Sequence, residues 1–147
     1  MTFVLFQCGR LDMYTSGALI LTDDGSFTYK ITHPKHQITK TYNVTIRGQI
    51  TEQELKKLKT GVDIGGVITS KAIVKLLKHT PETNKTRIQL TIHEGRNRQV
   101  RKMLEAIGKN VIALHRSKIG NIDVSDLKIG EWRYLKSKEV KALFENV

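Results

Sequence analysis

The sequence has little of the material that characterises secreted and membrane proteins. Cys8 is the only cysteine, which excludes an internal disulfide and favours the reducing cytoplasm as the location. No apolar run is long enough to span a bilayer, and the N-terminus lacks the basic and then apolar pattern of a signal peptide. We therefore expect no membrane partner, and we expect Cys8 to be a small buried hydrophobe.

Motifs that hold metals or nucleotide cofactors are also missing. The five histidines are scattered, and His33 and His36 have no cysteine or acidic companion at ligand spacing. The phosphate-binding patterns G-x-x-x-x-G-K-[ST] and G-x-G-x-x-G do not occur. We expect no metal and no cofactor. A nuclease that uses two metal ions is also disfavoured, because Asp12, the one well-placed aspartate, has no second acidic ligand beside it.

The charge balance is the first positive signal in the sequence. Twenty-five lysines and arginines stand against fourteen acidic residues, which leaves a net charge of +11. Such an excess favours nucleic acid as a partner, because neutralising phosphates releases condensed counterions. The alternative is a solvated basic surface that only aids solubility. The 147 residues contain no repeat, low-complexity tract or Pro/Gly/Ser-rich linker, so we predict one domain over residues 1–147.

Hydrophobic periodicity predicts an α+β domain, a mostly antiparallel or mixed sheet with helices packed on it. The predicted strands are ALILT (18–22, fully buried), KTYNVTIRG (40–48), TRIQLTIHE (86–94), VIALHRSKIG (111–120) and EWRYLK (131–136). The predicted helices are SFTYKIT (26–32, capped by an aspartate), TEQELKKLKTG (51–61, with a capping box), NRQVRKMLEAIG (97–108) and KEVKALFEN (138–146, capped by Ser137). AIVKLLK (72–78) is ambiguous between strand and helix.

The stretch GRLDMYTSGALILTDDG (9–25) places an aspartate, Asp12, before an apolar strand in a basic chain. Asp12 is either an ordinary turn residue or a charge that the rest of the chain uses. Tyr42 favours the second interpretation, because a buried tyrosine usually seeks a polar partner. So does Arg101, which lies between the basic and the apolar stripe of its helix, where a half-buried guanidinium needs an anion. The competing interpretation is a solvent-exposed stripe that binds phosphates.

Four blocks of sequence resemble, in order and spacing, the bacterial ribosomal RNA pseudouridine synthases of the RsuA type. They are GRLDMYTSGALILTDDG, KTYNV, EGRNRQVRKMLEAIG and HRSKIGNIDVSDLKIGEWRYL. The resemblance implies the catalytic fold of that family, a bent, mainly antiparallel mixed sheet with flanking helices and a central cleft. It also implies an enzyme that isomerises specific uridines of ribosomal RNA without a metal or cofactor. The family's usual N-terminal RNA-binding domain has no counterpart here, so we expect an N-terminally truncated chain.

The same resemblance implies a set of site residues. Asp12 matches the essential aspartate, which attacks or stabilises the ribose anomeric carbon while the glycosidic bond breaks and the base is rotated and rejoined through its carbon 5. Tyr42 matches the tyrosine that stacks on the base and takes part in removing the carbon-5 proton. Arg101 matches the basic partner of the aspartate. Arg10 matches the residue that fills the gap left by the flipped nucleotide, and Ile119 an aliphatic residue packed against the tyrosine or base. The predicted catalytic residues are therefore Asp12, Tyr42 and Arg101. The predicted substrate-binding residues are Arg10, Ile119, Arg96, Arg98 and Lys118.

A second hypothesis from another class is a non-catalytic RNA-binding module that acts in ribosome assembly. It predicts that Asp12 is dispensable, whereas the enzyme hypothesis predicts the reverse. The presence of Asp12, Tyr42 and Arg101 together favours the enzyme. The expected partner is ribosomal RNA in either case, and a monomer is expected.

Overall fold

The structure, a computed structural model, describes residues 4–145. The strands in that range are β1 (Phe6–Cys8), β2 (Thr15–Gly17), β3 (Ile20–Thr22), β4 (Lys40–Arg47), β5 (Ile73–Thr80), β6 (Lys85–Ile92), β7 (Val111–Ile119) and β8 (Ile122–Asp123). The helices are α1 (Gly25–Thr32), α2 (Glu52–Thr60), α3 (Gln99–Ala106) and α4 (Ser137–Ala142). A single 3₁₀ turn at Pro34–His36 follows α1. The ambiguous segment 72–78 is therefore a strand, β5, from Ile73 onward.

The central sheet has the strand order β2-β7-β4-β6-β5, with the short β8 added alongside β7. The β2–β7 pairing is parallel and the other pairings in this sheet are antiparallel. A separate antiparallel pair is formed by β1 and β3. These pairings confirm the prediction of an α+β domain with a mixed, mainly antiparallel sheet.

One face of the sheet is covered by α2 and α3. Alternate residues of β4 and β6 point to this face, because successive side chains of a strand alternate between its two sides. The fully buried members of this first core cluster are Val44, Ile46, Leu58, Ile88, Leu90, Met103 and Leu104. Burial of these aliphatic side chains is the main force that fixes α2 and α3 against the strands.

A second hydrophobic cluster lies around the β1–β3 pair, α1, α4 and the end of β7. Its buried members are Cys8, Ala18, Ile20, Ile31, Ile38, Ile119, Ile122 and Leu143. Burial of Cys8 confirms its prediction as a small hydrophobe. A cleft opens where the two clusters meet, since it is lined by Ile31 and Ile119 from the second cluster and by Val100 and Leu114 from the first.

Two of the predicted helix starts are confirmed in detail. Asp24 precedes α1, and its carboxylate accepts hydrogen bonds from the backbone N–H groups of Ser26 and Phe27. Thr51 and Glu54 form the predicted capping box, each side chain accepting a bond from the other residue's backbone N–H. Both arrangements satisfy donors that the first helical turn leaves unpaired.

The prediction of a fully buried strand over residues 18–22 is wrong. The strand is limited to β3, and Leu21 is 55% exposed, whereas Ile20 is 7% exposed. The physical reason is that β3 pairs only with β1, so one side of this two-stranded ribbon faces the second cluster and the other faces solvent. The neighbouring Thr15–Gly17 segment forms the separate strand β2, which pairs with β7.

The strand predicted over residues 131–136 is absent from the structure. Trp132 and Tyr134 alternate as they would in a strand, but both are exposed and pack edge to face, with ring centroids 5.1 Å apart. The segment is tied to the helix that follows, since the carboxylate of Glu139 accepts the N–H of Lys136 at 2.9 Å. Within the described part of the chain, no strand of either sheet pairs with residues 131–136, and a period-2 pattern does not make a strand without such a partner.

The start of the last helix is displaced by one residue from its prediction. Ser137 is the first helical residue of α4, and Lys136 occupies the N-cap position. The helix ends at Ala142, and Asn146, the last residue of the predicted helix, lies outside the described residues.

Gly17 is the glycine on which the packing of β2 against β7 depends most. Its φ is +124°, and a Cβ at this position would overlap the backbone of Arg116, its partner in β7. We expect Gly17→Ala to lower the free energy of unfolding by about 3 kcal/mol, because backbone strain and a steric clash act together. Urea unfolding measures this change.

Gly48→Ala is the matched control for Gly17→Ala. Gly48 also has a positive φ, +83°, but nothing lies within 4 Å of an added Cβ. We expect a loss of only about 1 kcal/mol there, from the conformation alone. Equal losses for the two variants would contradict the assignment of a steric role to Gly17.

Candidate active site

Asp12 lies in a tight turn between strands β1 and β2. Its backbone carbonyl accepts the N–H of Thr15 at 3.1 Å. Its carboxylate oxygen Oδ1 accepts the N–H of Tyr14 at 3.1 Å and the hydroxyl of Thr15 at 2.5 Å. Asp12 is thus a turn residue in geometry, and the turn uses one carboxylate oxygen and leaves the other, Oδ2, to a different partner.

That partner is Arg101 in α3. Its Nε donates to Asp12 Oδ2 at 3.2 Å, and its Nη2 donates to the carbonyl of Tyr14 at 3.1 Å and to the hydroxyl of Thr15 at 3.3 Å. Arg101 is buried, and its neighbours Val100 and Leu104 belong to the first core cluster. The structure therefore brings Asp12 and Arg101 together, and one guanidinium fixes both the carboxylate and its turn.

The electrostatics of this pair favour an ionised carboxylate. Burial alone would raise the pKa of Asp12, but the hydrogen bond from Thr15, the bond and charge of Arg101 and the N–H of Tyr14 together outweigh it and lower the pKa. Because the pKa is lower in the folded than in the unfolded chain, the ionised carboxylate stabilises the fold at neutral pH. That contribution is lost as the pH falls through the folded-state pKa.

Asp12 opens onto the cleft between the two hydrophobic clusters, which has a volume of about 550 Å³. Tyr42 in β4 lines the same cleft, and it also packs against the first core cluster. Arg101 is not among the lining residues, so it supports Asp12 from behind. Arg101 is therefore placed as a positioning residue, whereas Asp12 and Tyr42 present their side chains to whatever occupies the cleft.

Four of the five predicted substrate-binding residues line this cleft: Arg10, Arg96, Arg98 and Ile119. Lys118 is the exception. A β-bulge in β7 between Arg116 and Lys118 shifts the alternation of side chains, so that Ile119 and not Lys118 lies on the cleft side with Arg116. Its ammonium lies 3.9 Å from the carboxylate of Asp123 instead.

The structure adds three charged lining residues that the sequence analysis did not select: Lys40, Glu94 and Arg116. Arg116 is 5% exposed and donates to the carbonyl of Ala18 through Nε at 2.9 Å and Nη2 at 2.7 Å, and to that of Arg10 at 3.4 Å. It therefore anchors both ends of the segment that holds Asp12. A signal existed for Lys40, which precedes Tyr42 by two residues and so shares its face of β4.

Glu94 organises the loop that leads into α3. Its Oε1 accepts the N–H of Ser70 at 2.9 Å and the side-chain amide of Gln99 at 3.0 Å, and its Oε2 lies 3.4 Å from Nε of Arg96. Arg98 follows in a left-handed conformation with φ +52°. The loop is thus held so that its arginines stand at the mouth of the cleft.

Comparison with known families identifies the class of protein to which this cleft belongs. A family model described as RNA pseudouridylate synthase matches residues 2–106. The chain belongs to this family. The resemblance that the four sequence blocks indicated is therefore confirmed.

Individual relatives in the family are similar over nearly the whole chain. The chain is 45% identical over 139 residues to the ribosomal large subunit pseudouridine synthase B of Bacillus subtilis, covering 95% of this chain and 57% of that protein. It is 37% identical over 144 residues to the ribosomal small subunit pseudouridine synthase A of Vibrio cholerae, covering 96% and 60%. The chain thus spans about 57 to 60% of the length of these two relatives.

Solved structures share the fold. A crystal structure of a pseudouridylate synthase superimposes with a TM-score of 0.81 at 37% identity, over 95% of this chain and 59% of that one. The human RNA pseudouridylate synthase domain containing 1 gives a TM-score of 0.57 at 20% identity, over 86% and 60%. The second likeness shows the fold alone, whereas the first confirms the predicted catalytic fold of the family.

Residues 4–145 lack two further features. No helix there has both the length and the apolar character needed to cross a membrane. In the same range, no group of three or more histidine, cysteine, aspartate or glutamate side chains is arranged to hold a metal ion.

Proposed function

We propose that this protein converts uridines of ribosomal RNA to pseudouridine, with Asp12 as the catalytic residue. The observation that supports this most is the pairing of Asp12 with Arg101 at a cleft that Tyr42 also lines. An ionised carboxylate held by a buried guanidinium is suited to act on an electrophilic carbon from which water is excluded. The names of the two bacterial relatives support ribosomal RNA as the substrate class.

The proposed reaction is an isomerisation and needs no second substrate. The bond between uracil N1 and ribose C1′ breaks, and its electron pair leaves with the base. Asp12 attacks C1′ or stabilises the positive charge that develops on it. The base rotates and a bond forms between C5 and C1′. Where Asp12 had bonded to C1′, that bond breaks at this step and its electron pair returns to the carboxylate. C5 then loses its proton and N1 gains one. Atoms and charge therefore balance without an external reagent.

Other lining residues fit roles in receiving an extruded nucleotide. The target atoms of a base in stacked RNA are hidden, so the base must leave the stack before it reacts. We assign Tyr42 to stacking on that base and to removal of the C5 proton, Arg10 to the gap that the base leaves, and Ile119 to packing beside it. Arg96 and Arg98, at the mouth, are assigned to the RNA backbone.

The charge of the cleft supports an RNA substrate independently of these roles. Five cationic side chains line it against two carboxylates, those of Asp12 and Glu94. Asp12 is paired with Arg101 and Glu94 with Arg96. The surface left for a ligand is therefore cationic, as the binding of phosphates requires.

The direct test is to incubate the protein with unmodified ribosomal RNA and to map pseudouridines by carbodiimide-dependent stops of primer extension. We expect new stops at one or a few uridines, unchanged when a chelator is added. RNA binding without any stop would favour the assembly-module hypothesis instead. Cleavage of the RNA that disappears with chelator would point to a metal-dependent nuclease.

A further inference from the structure

Lys40 is the cleft residue whose charge the proposed roles leave unused. It is the first residue of β4, and β4 pairs without interruption with β6, so that Lys40 lies opposite Ile92 and Tyr42 opposite Leu90. Residues two apart in a strand point to the same side. Lys40 and Tyr42 therefore stand next to each other on one wall of the cleft, which both of them line.

The ammonium of Lys40 has no partner in the part of the chain that the structure describes. It makes no hydrogen bond there and has no carboxylate within 4 Å. Its side chain is half-buried, and its Nζ keeps contact with solvent, because no fully buried side-chain nitrogen or oxygen in that range lacks a partner. Nζ lies against the loop before α3, 3.4 Å from where a Cβ of Gly95 would be. Burial, followed by the nearby charge of Arg116, lowers the pKa of Lys40. A half-buried cation that has no protein partner and lines a cleft is available to bind a negatively charged group of a ligand.

Arg116 does not change this conclusion. Its hydrogen bonds go to the backbone carbonyls of Ala18 and Arg10, and it has no carboxylate partner within residues 4–145. Lys40 and Arg116 thus form two neighbouring positive charges on the cleft wall. Two like charges held close together are destabilising unless negative charge from a ligand compensates them.

The depth of the cations indicates which part of an RNA supplies that negative charge. Arg96, with half of its side chain exposed, and Arg98, also exposed, stand at the mouth, where the phosphates of an RNA strand remain. Lys40 is recessed beside Tyr42, where an extruded base enters. When the N1–C1′ bond breaks, the electron pair stays on uracil, and resonance places negative charge on its carbonyl oxygens.

Building on the proposed function, we propose that Lys40 contacts a carbonyl oxygen of the extruded uracil and stabilises the negative charge that uracil takes up as its glycosidic bond breaks. Lys40 keeps its proton throughout and forms no covalent bond. The interaction is stronger in the transition state than with neutral uridine, so it acts on the rate of reaction and little on the binding of RNA.

The test compares Lys40→Met with Lys85→Met, using unmodified ribosomal RNA as substrate. Lys85 is also a half-buried lysine at a strand end, but it lies opposite Arg47 at the far end of the β4–β6 ladder and does not line the cleft. Both variants remove one positive charge. We expect Lys40→Met to lower the single-turnover rate constant about 100-fold and to change the Kd for RNA no more than Lys85→Met does. Lys85→Met should keep the wild-type rate.

A pH profile separates this role from a structural one. Wild-type activity should decline at alkaline pH as the ammonium of Lys40 loses its proton, starting below the range of an ordinary lysine, and this decline should be absent in Lys40→Met. If Lys40 served only the fold, the shape of the pH profile would be the same in Lys40→Met as in the wild type. The other charged groups that line the cleft with Lys40 are Arg10, Asp12, Glu94, Arg96, Arg98 and Arg116.

Thermal melting shows whether the variant is folded. We expect the Tm of Lys40→Met to equal or exceed that of the wild type, since an unpaired, partly desolvated charge has been removed. If Lys40→Met does not fold, Lys40→Gln takes its place with the same expectation.

Three other results would contradict either the role of Lys40 or the proposed function. A weaker Kd with an unchanged rate constant would assign Lys40 to a phosphate and overturn the proposal. An unchanged rate and pH profile, with active wild type, would overturn it as well and leave the proposed function standing. No pseudouridine from the wild-type protein would overturn the proposed function and the role of Lys40 with it.

Discussion

Replacing Asp12 by Asn is expected to abolish pseudouridine formation while RNA binding persists. The substituted amide has the shape of the carboxylate, and its oxygen can still accept the bonds from Tyr14 and Thr15 that hold the turn. It has no negative charge, however, and so can neither attack C1′ nor stabilise a cation there. We expect no product above background with unmodified ribosomal RNA, and a Kd for RNA close to that of the wild type.

Asp24→Asn is the matched control for Asp12→Asn. Both aspartates accept the backbone N–H of the second residue after them, Tyr14 for Asp12 and Ser26 for Asp24. Asparagine caps a helix about as well as aspartate, so Asp24→Asn should keep full activity. If Asp12→Asn keeps the same activity as Asp24→Asn, Asp12 is only a turn residue and the catalytic assignment is contradicted.

Elements with a strong hydrophobic period were predictable from the sequence. Strands β4 and β6 and helix α3 each bury a regular set of side chains in the first core cluster, so their period is visible in the sequence. The apolar run at 18–22 and the alternating run at 131–136 failed for a different reason. Whether such a run becomes a buried strand depends on which neighbours cover it, and those neighbours are distant in sequence.

The candidate site was predictable only in part for the same reason. Asp12 and Arg101 are separated by 89 positions, and no local pattern joins them, so the resemblance to a family supplied the pair. The local pattern left Asp12 undecided between a turn residue and a functional charge. The geometry explains why, since one oxygen of the carboxylate serves the turn and the other is bound by Arg101.

The positions of Arg116 and Lys40 show what periodicity contains and what it omits. Arg116 lies two residues after Leu114 in β7, and Lys40 lies two residues before Tyr42 in β4. Residues two apart share one face of a strand, so the sequence places both basic residues on the core face of the sheet. A basic residue at a core position either finds a hydrogen-bond acceptor in the protein or does not. Arg116 donates to a backbone carbonyl, whereas Lys40 has no partner within residues 4–145, and only the tertiary structure distinguishes these two cases.

The same distinction predicts that removing Arg101 and removing Lys40 have opposite effects on the stability of the fold. We expect Arg101→Met to lower the free energy of unfolding by about 2–3 kcal/mol, below the usual range for a broken buried pair because the Asp12 side chain is 23% exposed. The turn that holds Asp12 loses the bonds to Tyr14 and Thr15 as well. The misplaced carboxylate should lower the rate of pseudouridine formation at least about 100-fold.

The pH dependence identifies Arg101 as acting through Asp12. Without the guanidinium, the bond and the charge that help to lower the pKa of Asp12 are lost. That pKa therefore rises relative to the wild type, and the acidic limb of the rate profile should move to higher pH. Arg133→Met is the control, because Arg133 also forms an arginine–carboxylate pair, with Glu139, but lies outside the cleft. It should leave both the rate and the profile unchanged. An acidic limb that stays in place in Arg101→Met would mean that the arginine does not set the charge of Asp12, and that Thr15 and the backbone of Tyr14 suffice to keep that carboxylate ionised.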